Sequence, residues 1–330
     1  MPADPDRRGR RVAVVGTGVA GERLRRRIGL IVPDADVVAV DTRRHDARTS
    51  NLLDGVDAAV LARPTPHLGD AAALVGRGIG VVSISDQVAD VRALLSLGHA
   101  AERAGVPLVV GAGMSPGLSG LLARHLAVDL ATIDEIRVGI HGTAGPSCAR
   151  QHHRALARTS ISIVDGQEVV ERAGTGRELI WFPEPVGAYD CYRAEVPSPI
   201  LLRESFPDTE RITARMSANR RDRFTSRLPM LSPPHSEGGV GAIRIEVSGL
   251  DAAGGRRTAV AGIAELVGTA AAATAGAFLH AICSGSFEPG VVVPGSADLD
   301  TLEMLRVVER LGVRLQSFTG VPTTTGPTHG

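Results

Sequence analysis

The chain has 330 residues, enough for two domains of ordinary size. Its 36 basic and 36 acidic side chains cancel to a formal net charge of zero, so nothing directs it to nucleic acid or to an anionic membrane. All the basic residues are Arg; with no Lys present, neither a lysine general acid nor a Schiff base on the chain is available.

Residues 1–10 read as an arm outside the fold. Val12 to Val15 is a short apolar β-branched run, as in a strand buried on both faces, and Val19 to Leu30 follows as a helix. Asp36 to Val40, Ala58 to Ala62, Ile79 to Ile84 and Pro107 to Val110 read as further strands, with helices at Leu68 to Val75 and Val88 to Ala104 between them. Strands alternating with helices at this spacing predict a doubly wound parallel sheet of the Rossmann type over 11–128. The rhythm changes beyond that point. Ile133 to His141 reads as a strand, and Ile243 to Val247 and Arg257 to Glu265 as a hairpin, so 129–300 is expected to be an α+β substrate and oligomerisation domain with a mixed or antiparallel sheet. Leu266 to Leu279 is apolar but shorter than the roughly 20 residues a membrane span needs, and reads as a packed helix. Residues 301–320 are expected to form a helix and strand packing back on the first domain, and 321–330 a tail. Cys148, Cys191 and Cys283 are widely spaced, which fits free thiols and a cytoplasmic location.

Gly16-Thr17-Gly18-Val19-Ala20-Gly21 is a GxGxxG that follows a strand and opens a helix. Asp41 ends the next strand, twenty residues after Gly21. This is the full context of a dinucleotide-binding turn: a tight bend at Gly16, close backbone approach to a pyrophosphate at Gly18, and close helix–strand packing at Gly21. Asp41 suits the ribose hydroxyls of NAD, whereas Arg43 suits the 2′-phosphate of NADP, so both cofactors stay open. Arg63 and Pro64 end a buried strand and are expected to line the cofactor. His67 beside them reads either as part of that lining or as an exposed helix-start residue.

The segment Gly111-Ala-Gly-Met-Ser115-Pro116-Gly117-Leu-Ser, with Trp181-Phe-Pro-Glu-Pro-Val-Gly187 and Tyr192 further on, resembles the saccharopine dehydrogenase-like (saccharopine reductase) oxidoreductases. The resemblance covers most of residues 11–320. It implies NAD(P) and redox chemistry at a carbon–nitrogen bond. Ser115 stands where that family usually has Asp, and Gly120 where Asn is common. From the residues themselves, Ser115 is expected to cap a helix starting with Pro116 and Gly117, its amide end turned to a substrate carboxylate.

Hydride transfer needs a proton donor. Gly145 to Arg154 holds Cys148, Arg150, His152, His153 and Arg154 in one stretch; Arg150 and Arg154 share a helix face and suit a carboxylate, and His152 or His153 suits proton transfer. Tyr192 is the rival donor. No metal site is expected, because the two histidines are adjacent and lack spaced partners. The resulting expectation is an NAD(P)-dependent oxidoreductase of a small carboxylate, acting as a homo-oligomer such as a homodimer. The alternatives are a sugar or polyol dehydrogenase on the same plan, weakened by the lack of Lys, and a catalytically silent dinucleotide sensor or scaffold.

Overall fold

The computed structural model describes residues 9–230 and 233–318. The tail expected at 321–330 and most of the arm at 1–10 lie outside the described residues. The strands are β1 (Arg11–Val15), β2 (Asp36–Val40), β3 (Ala58–Leu61), β4 (Gly80–Ser83), β5 (Pro107–Val110), β6 (Thr132–His141), β7 (Thr159–Val164), β8 (Gln167–Arg172), β9 (Glu178–Trp181), β10 (Ala188–Tyr192), β11 (Arg211–Ser217), β12 (Val240–Leu250), β13 (Arg256–Leu266), β14 (Gly290–Val292) and β15 (Gln316–Phe318). The helices are α1 (Val19–Arg25), α2 (Leu68–Gly76), α3 (Val88–Leu95), α4 (Gly98–Ala104), α5 (Leu118–Leu126), α6 (Pro146–Ala155), α7 (Ser198–Ser205), α8 (Arg220–Thr225), α9 (Val267–Cys283) and α10 (Thr301–Arg310).

The first sheet has the order β14-β5-β4-β3-β1-β2, parallel throughout. Its central strands β3 and β4 are buried at every residue, which is why their sequences run apolar without alternation. The chain leaves β1 toward β2 on one side and resumes at β3 on the other. The strand order therefore reverses between β1 and β3, where a crevice opens beyond the carboxyl ends.

The second sheet has nine strands along the path β15-β13-β12-β6-β11-β10-β9, with β7 on β11 and β8 on β7. β6 and β11 are parallel and the other pairs antiparallel, so the sheet is mixed. Alternation along β12 buries Ile243, Ile245 and Val247 in the main core. The β12–β13 hairpin is closed by Asp251, whose carboxylate accepts from the backbone N–H of Ala253 and Gly255. The Ala-rich α9 crosses from the second sheet to pack on α1 and α10. Gly276 lets Leu24, Ile31 and Leu311 approach its axis.

Several elements differ from expectation. The helix expected over 88–104 is two helices: the Ser96 hydroxyl turns back to the Ala93 carbonyl, and Gly98 opens the second. The first helix stops at Arg25, with a 3₁₀ turn at Ile28–Leu30. The return to the first sheet comes early, because β14 falls inside the stretch assigned to the second domain yet pairs with β5. β15 pairs with β13 in the second sheet instead of packing on the first domain, while α10 lies on α9 and α5.

Candidate functional site

A cavity of about 690 Å³ opens at the crevice between β1 and β3. One wall is the glycine turn, where Thr17, Gly18, Val19 and Ala20 line the void. Gly16 has φ +120°, and a Cβ there would collide with the Ala62 carbonyl; a Cβ at Gly21 would collide with the Gly16 carbonyl. Beside Gly18, by contrast, nothing lies within 4 Å. Two glycines are thus required by packing, and the third leaves room next to exposed backbone. That is the cradle a dinucleotide pyrophosphate needs, so these residues fit NAD(P).

The next wall comes from the end of β3. Ala62, Arg63, Pro64 and Thr65 face the cavity, held from behind by a buried network. Arg63 pairs with Asp70 at 2.5 Å. The Arg63 carbonyl lies 2.8 Å from His67 Nε2, and because a carbonyl only accepts, Nε2 carries the proton and Nδ1 accepts from the Ser83 hydroxyl at 2.8 Å. Asp90 accepts from the backbone N–H of His67 and Leu68 and from the Ser85 hydroxyl. His67 is fully buried, neither lining the cofactor nor exposed, and burial holds its pKa below the ordinary value.

Asp41 stands at the end of β2, where its carboxylate takes the Arg43 guanidinium in a fork at 3.1 and 3.2 Å, with Arg44 at 3.9 Å. The Arg43 side chain lowers its pKa. Arg43, Arg44, Arg48 and Arg63 edge a second void of about 490 Å³, and Arg63 borders the main cavity as well.

The far wall is built by side chains. Ser115 and Pro116 face the main cavity. Ser115 does not cap α5: its hydroxyl bonds Ser198 at 2.9 Å and donates to Ser119 at 3.3 Å, and the N-cap is Gly117, with φ +125° and no side-chain bond. A Cβ at Gly117 would strike the Gly113 carbonyl, so this glycine closes the turn beneath the cavity and does not line it.

From the second domain, α6 contributes Cys148, Arg150, Gln151, His152 and Arg154 to the same cavity. Pro116 was expected at the first turn of its helix; here Pro146 takes that position in α6, behind Gly145. Arg150 and Arg154 are exposed at the mouth and have no ion-pair partner among the described residues. His152 Nε2 lies 3.7 Å from Cys148 Sγ and 4.0 Å from Asp86 Oδ2. Desolvation lowers the His152 pKa and raises that of Asp86, each opposed by attraction between the two; burial pushes the Cys148 thiol up to about 12.

Two expected candidates lie elsewhere. His153 faces away from the cofactor cavity and holds the segment after α8, with Nε2 donating to the carbonyls of Thr225 at 3.0 Å and Leu228 at 3.3 Å. Tyr192 is buried in the core, its ring 4.2 Å beneath the Arg223 guanidinium. Asp86 and Gln87 line the cavity and were not anticipated. Their signal was available: both follow β4 at its carboxyl end, where ligands of open α/β sheets bind.

No family model matches the chain. A myo-inositol dehydrogenase of Streptomyces leeuwenhoekii is 28% identical over 197 residues, 54% of this chain. The chain spans about 60% of the length of that curated relative. Among solved structures, the apo saccharopine dehydrogenase (L-Glu forming) of Saccharomyces cerevisiae aligns with a TM-score of 0.67 at 12% identity, over 94% of this chain and 100% of that one. The DAP dehydrogenase of C. glutamicum aligns with a TM-score of 0.47 at 16% identity, over 87% and 93%. The chain therefore shares the two-domain fold of that saccharopine dehydrogenase.

Proposed function

We propose that the protein is an NAD(P)-dependent oxidoreductase acting at the carbon–nitrogen bond of a small, amino-acid-like carboxylate. The observation that carries this reading is a single cavity bounded by the dinucleotide turn on one side and by Arg150, His152 and Arg154 on the other. Thr17, Gly18, Val19, Ala20, Arg63 and Pro64 would hold the dinucleotide, with Asp41 and Arg43 at its ribose end. When bound, the nicotinamide supplies or takes a hydride. Arg150 and Arg154, guanidinium groups with no ion-pair partner among the described residues, hold the substrate carboxylate and orient the reacting carbon. His152, with Asp86 behind it, exchanges the proton that accompanies reduction or oxidation of that carbon's substituent. Ser115 and Pro116 close the floor under the substrate.

A second reading is oxidation of a polyol hydroxyl. The likeness to a myo-inositol dehydrogenase supports it, although the match covers about half the chain. The same proton-transfer pair would serve there, with no lysine to assist. Steady-state oxidation of NADH and NADPH against keto acids with added amines, run beside reduction of NAD and NADP by polyols, separates the two. Turnover with the keto acid and amine panel is expected. Turnover with polyols alone would favour the second reading, and cofactor binding without turnover on either panel would make the protein a dinucleotide sensor.

Among the described residues, no helix is long and apolar enough to cross a membrane, and the three cysteines are free. These support a cytoplasmic location as part of the proposal. Association as a homodimer is likewise proposed, and sedimentation of the purified chain tests it.

A further inference from the structure

Asp86 follows β4 in the first domain, whereas Cys148 and His152 lie one turn apart on α6 in the second. One ligand atom from each lies within 4.8 Å of the others, on the wall of the cofactor cavity. Sγ to Nε2 is 3.7 Å and Nε2 to Oδ2 is 4.0 Å. Zinc bonds of about 2.0–2.3 Å in a tetrahedron place neighbouring ligand atoms ~3.3–3.8 Å apart, so small side-chain rotations close this trio on a cation.

We propose that Asp86, Cys148 and His152 form a site for a thiolate-preferring divalent cation of the zinc class, with its fourth position open to the cavity. Magnesium and calcium, which need shells of oxygen ligands, are disfavoured by the sulfur and nitrogen donors. Binding exchanges the Cys148 S–H bond for a metal–sulfur bond and releases that proton to solvent; no electron is transferred. Building on the function proposed above, an occupied site ties up the Nε2 lone pair that His152 needs for proton exchange, so the cation inhibits turnover. The adjacency of His152 and His153, which argued against a metal in the sequence, is beside the point: His153 takes no part, and the missing partner comes from the other domain.

The test uses the full chain after chelator treatment, titrated with Co²⁺ and followed by its thiolate charge-transfer absorption and its visible bands. One equivalent is expected to bind, and added Zn²⁺ is expected to displace it. Cys148→Ser should remove the charge-transfer band, and Asp86→Asn should weaken binding at least tenfold, while His153→Gln leaves affinity unchanged; circular dichroism checks the fold of each variant. Absence of the band up to millimolar Co²⁺, or its persistence in Cys148→Ser, overturns the site. Inhibition by Zn²⁺, reversed by chelator, is expected with a demonstrated substrate. Stoichiometric Zn²⁺ binding with undiminished turnover overturns the assignment of His152 to proton transfer and leaves the metal site standing.

Discussion

The two ends of the cavity are made of different material. At the dinucleotide end the shape is backbone: Gly16 and Gly21 are there because a Cβ would strike a carbonyl, and Gly18 because space is needed beside it. At the other end the shape is side chains gathered from three places, Asp86 after β4, Ser115 after β5, and Cys148 to Arg154 on α6. A backbone-made site is written in consecutive residues. A side-chain-made site is written in topology, and emerges only when two domains close on one another.

The sharpest way to break this contrast is at Gly18. Gly18→Asp is expected to abolish dinucleotide binding while the protein stays folded, because the Cβ itself meets open space and the carboxylate fills the pyrophosphate position. Fluorescence titration with NADPH, beside a thermal melt, checks it; retained micromolar affinity in a folded variant would end the assignment. Gly16→Ala should do the reverse, lowering the melting temperature through a collision with Ala62 and a positive φ that L-residues avoid.

At the side-chain end, His152→Ala should lower turnover by about 10²–10⁴-fold, the usual worth of general acid–base catalysis, without altering cofactor affinity. Arg154→Ala should chiefly raise KM, since ground and transition states would share the proposed carboxylate contact. Tyr192→Phe is expected to leave turnover nearly unchanged, because its ring is buried beneath Arg223 and away from the cavity. Loss of turnover in Tyr192→Phe with none in His152→Ala would move the proton donor to the tyrosine.

Cofactor choice tests the ribose end of the crevice. The forked Arg43 contact already holds the Asp41 carboxylate. Asp41→Ser removes the negative charge and frees Arg43 for a 2′-phosphate. The ratio of NADP to NAD affinity should rise about tenfold or more, the worth of one charge-assisted hydrogen bond. An unchanged ratio would show that the end of β2 does not read the ribose.

The smallest effect concerns the network behind Arg63. His67 is buried and its pKa is lowered, so the folded state binds its proton less readily than the unfolded chain does. Its contribution is complete above the ordinary histidine value of about 6.5 and is lost as pH falls below it. Chemical denaturation from pH 7.5 to 5 should show that decline. His67→Gln should flatten it, whatever its effect on absolute stability. An equal slope in both proteins would place the acid sensitivity elsewhere.

The parallel sheet was legible because β3 and β4 are buried on both faces and read as unbroken apolar runs, and the cofactor turn because its glycines sit at fixed spacing. β8 and β9 were not, because they alternate between exposed and half-buried residues and carry charges such as Glu168, Glu171 and Glu178 that answer arginines elsewhere, as Glu168 answers Arg92. Ser115 misled because a Ser-Pro-Gly run reads as a helix start, whereas its hydroxyl is drawn to Ser198, a partner 83 residues away. Asp86 escaped notice although it follows β4 at its carboxyl end, because its partners Cys148 and His152 are remote in sequence.

The pairing of β14 with β5 has a consequence for how the molecule is made. On the ribosome, β5 emerges as an open edge and waits through the whole second domain before residues 290–292 arrive to cover it. The first domain is begun first and finished near the end. A fragment cut at residue 128 would also lack α9, against which α1 packs, and would expose apolar surface on two sides. Such a fragment should aggregate or be digested quickly, whereas the full chain should resist protease. For this protein the unit that must be completed before quality control can be passed is nearly the entire chain, so slow translation between β5 and β14 lengthens the period in which the nascent molecule depends on chaperones.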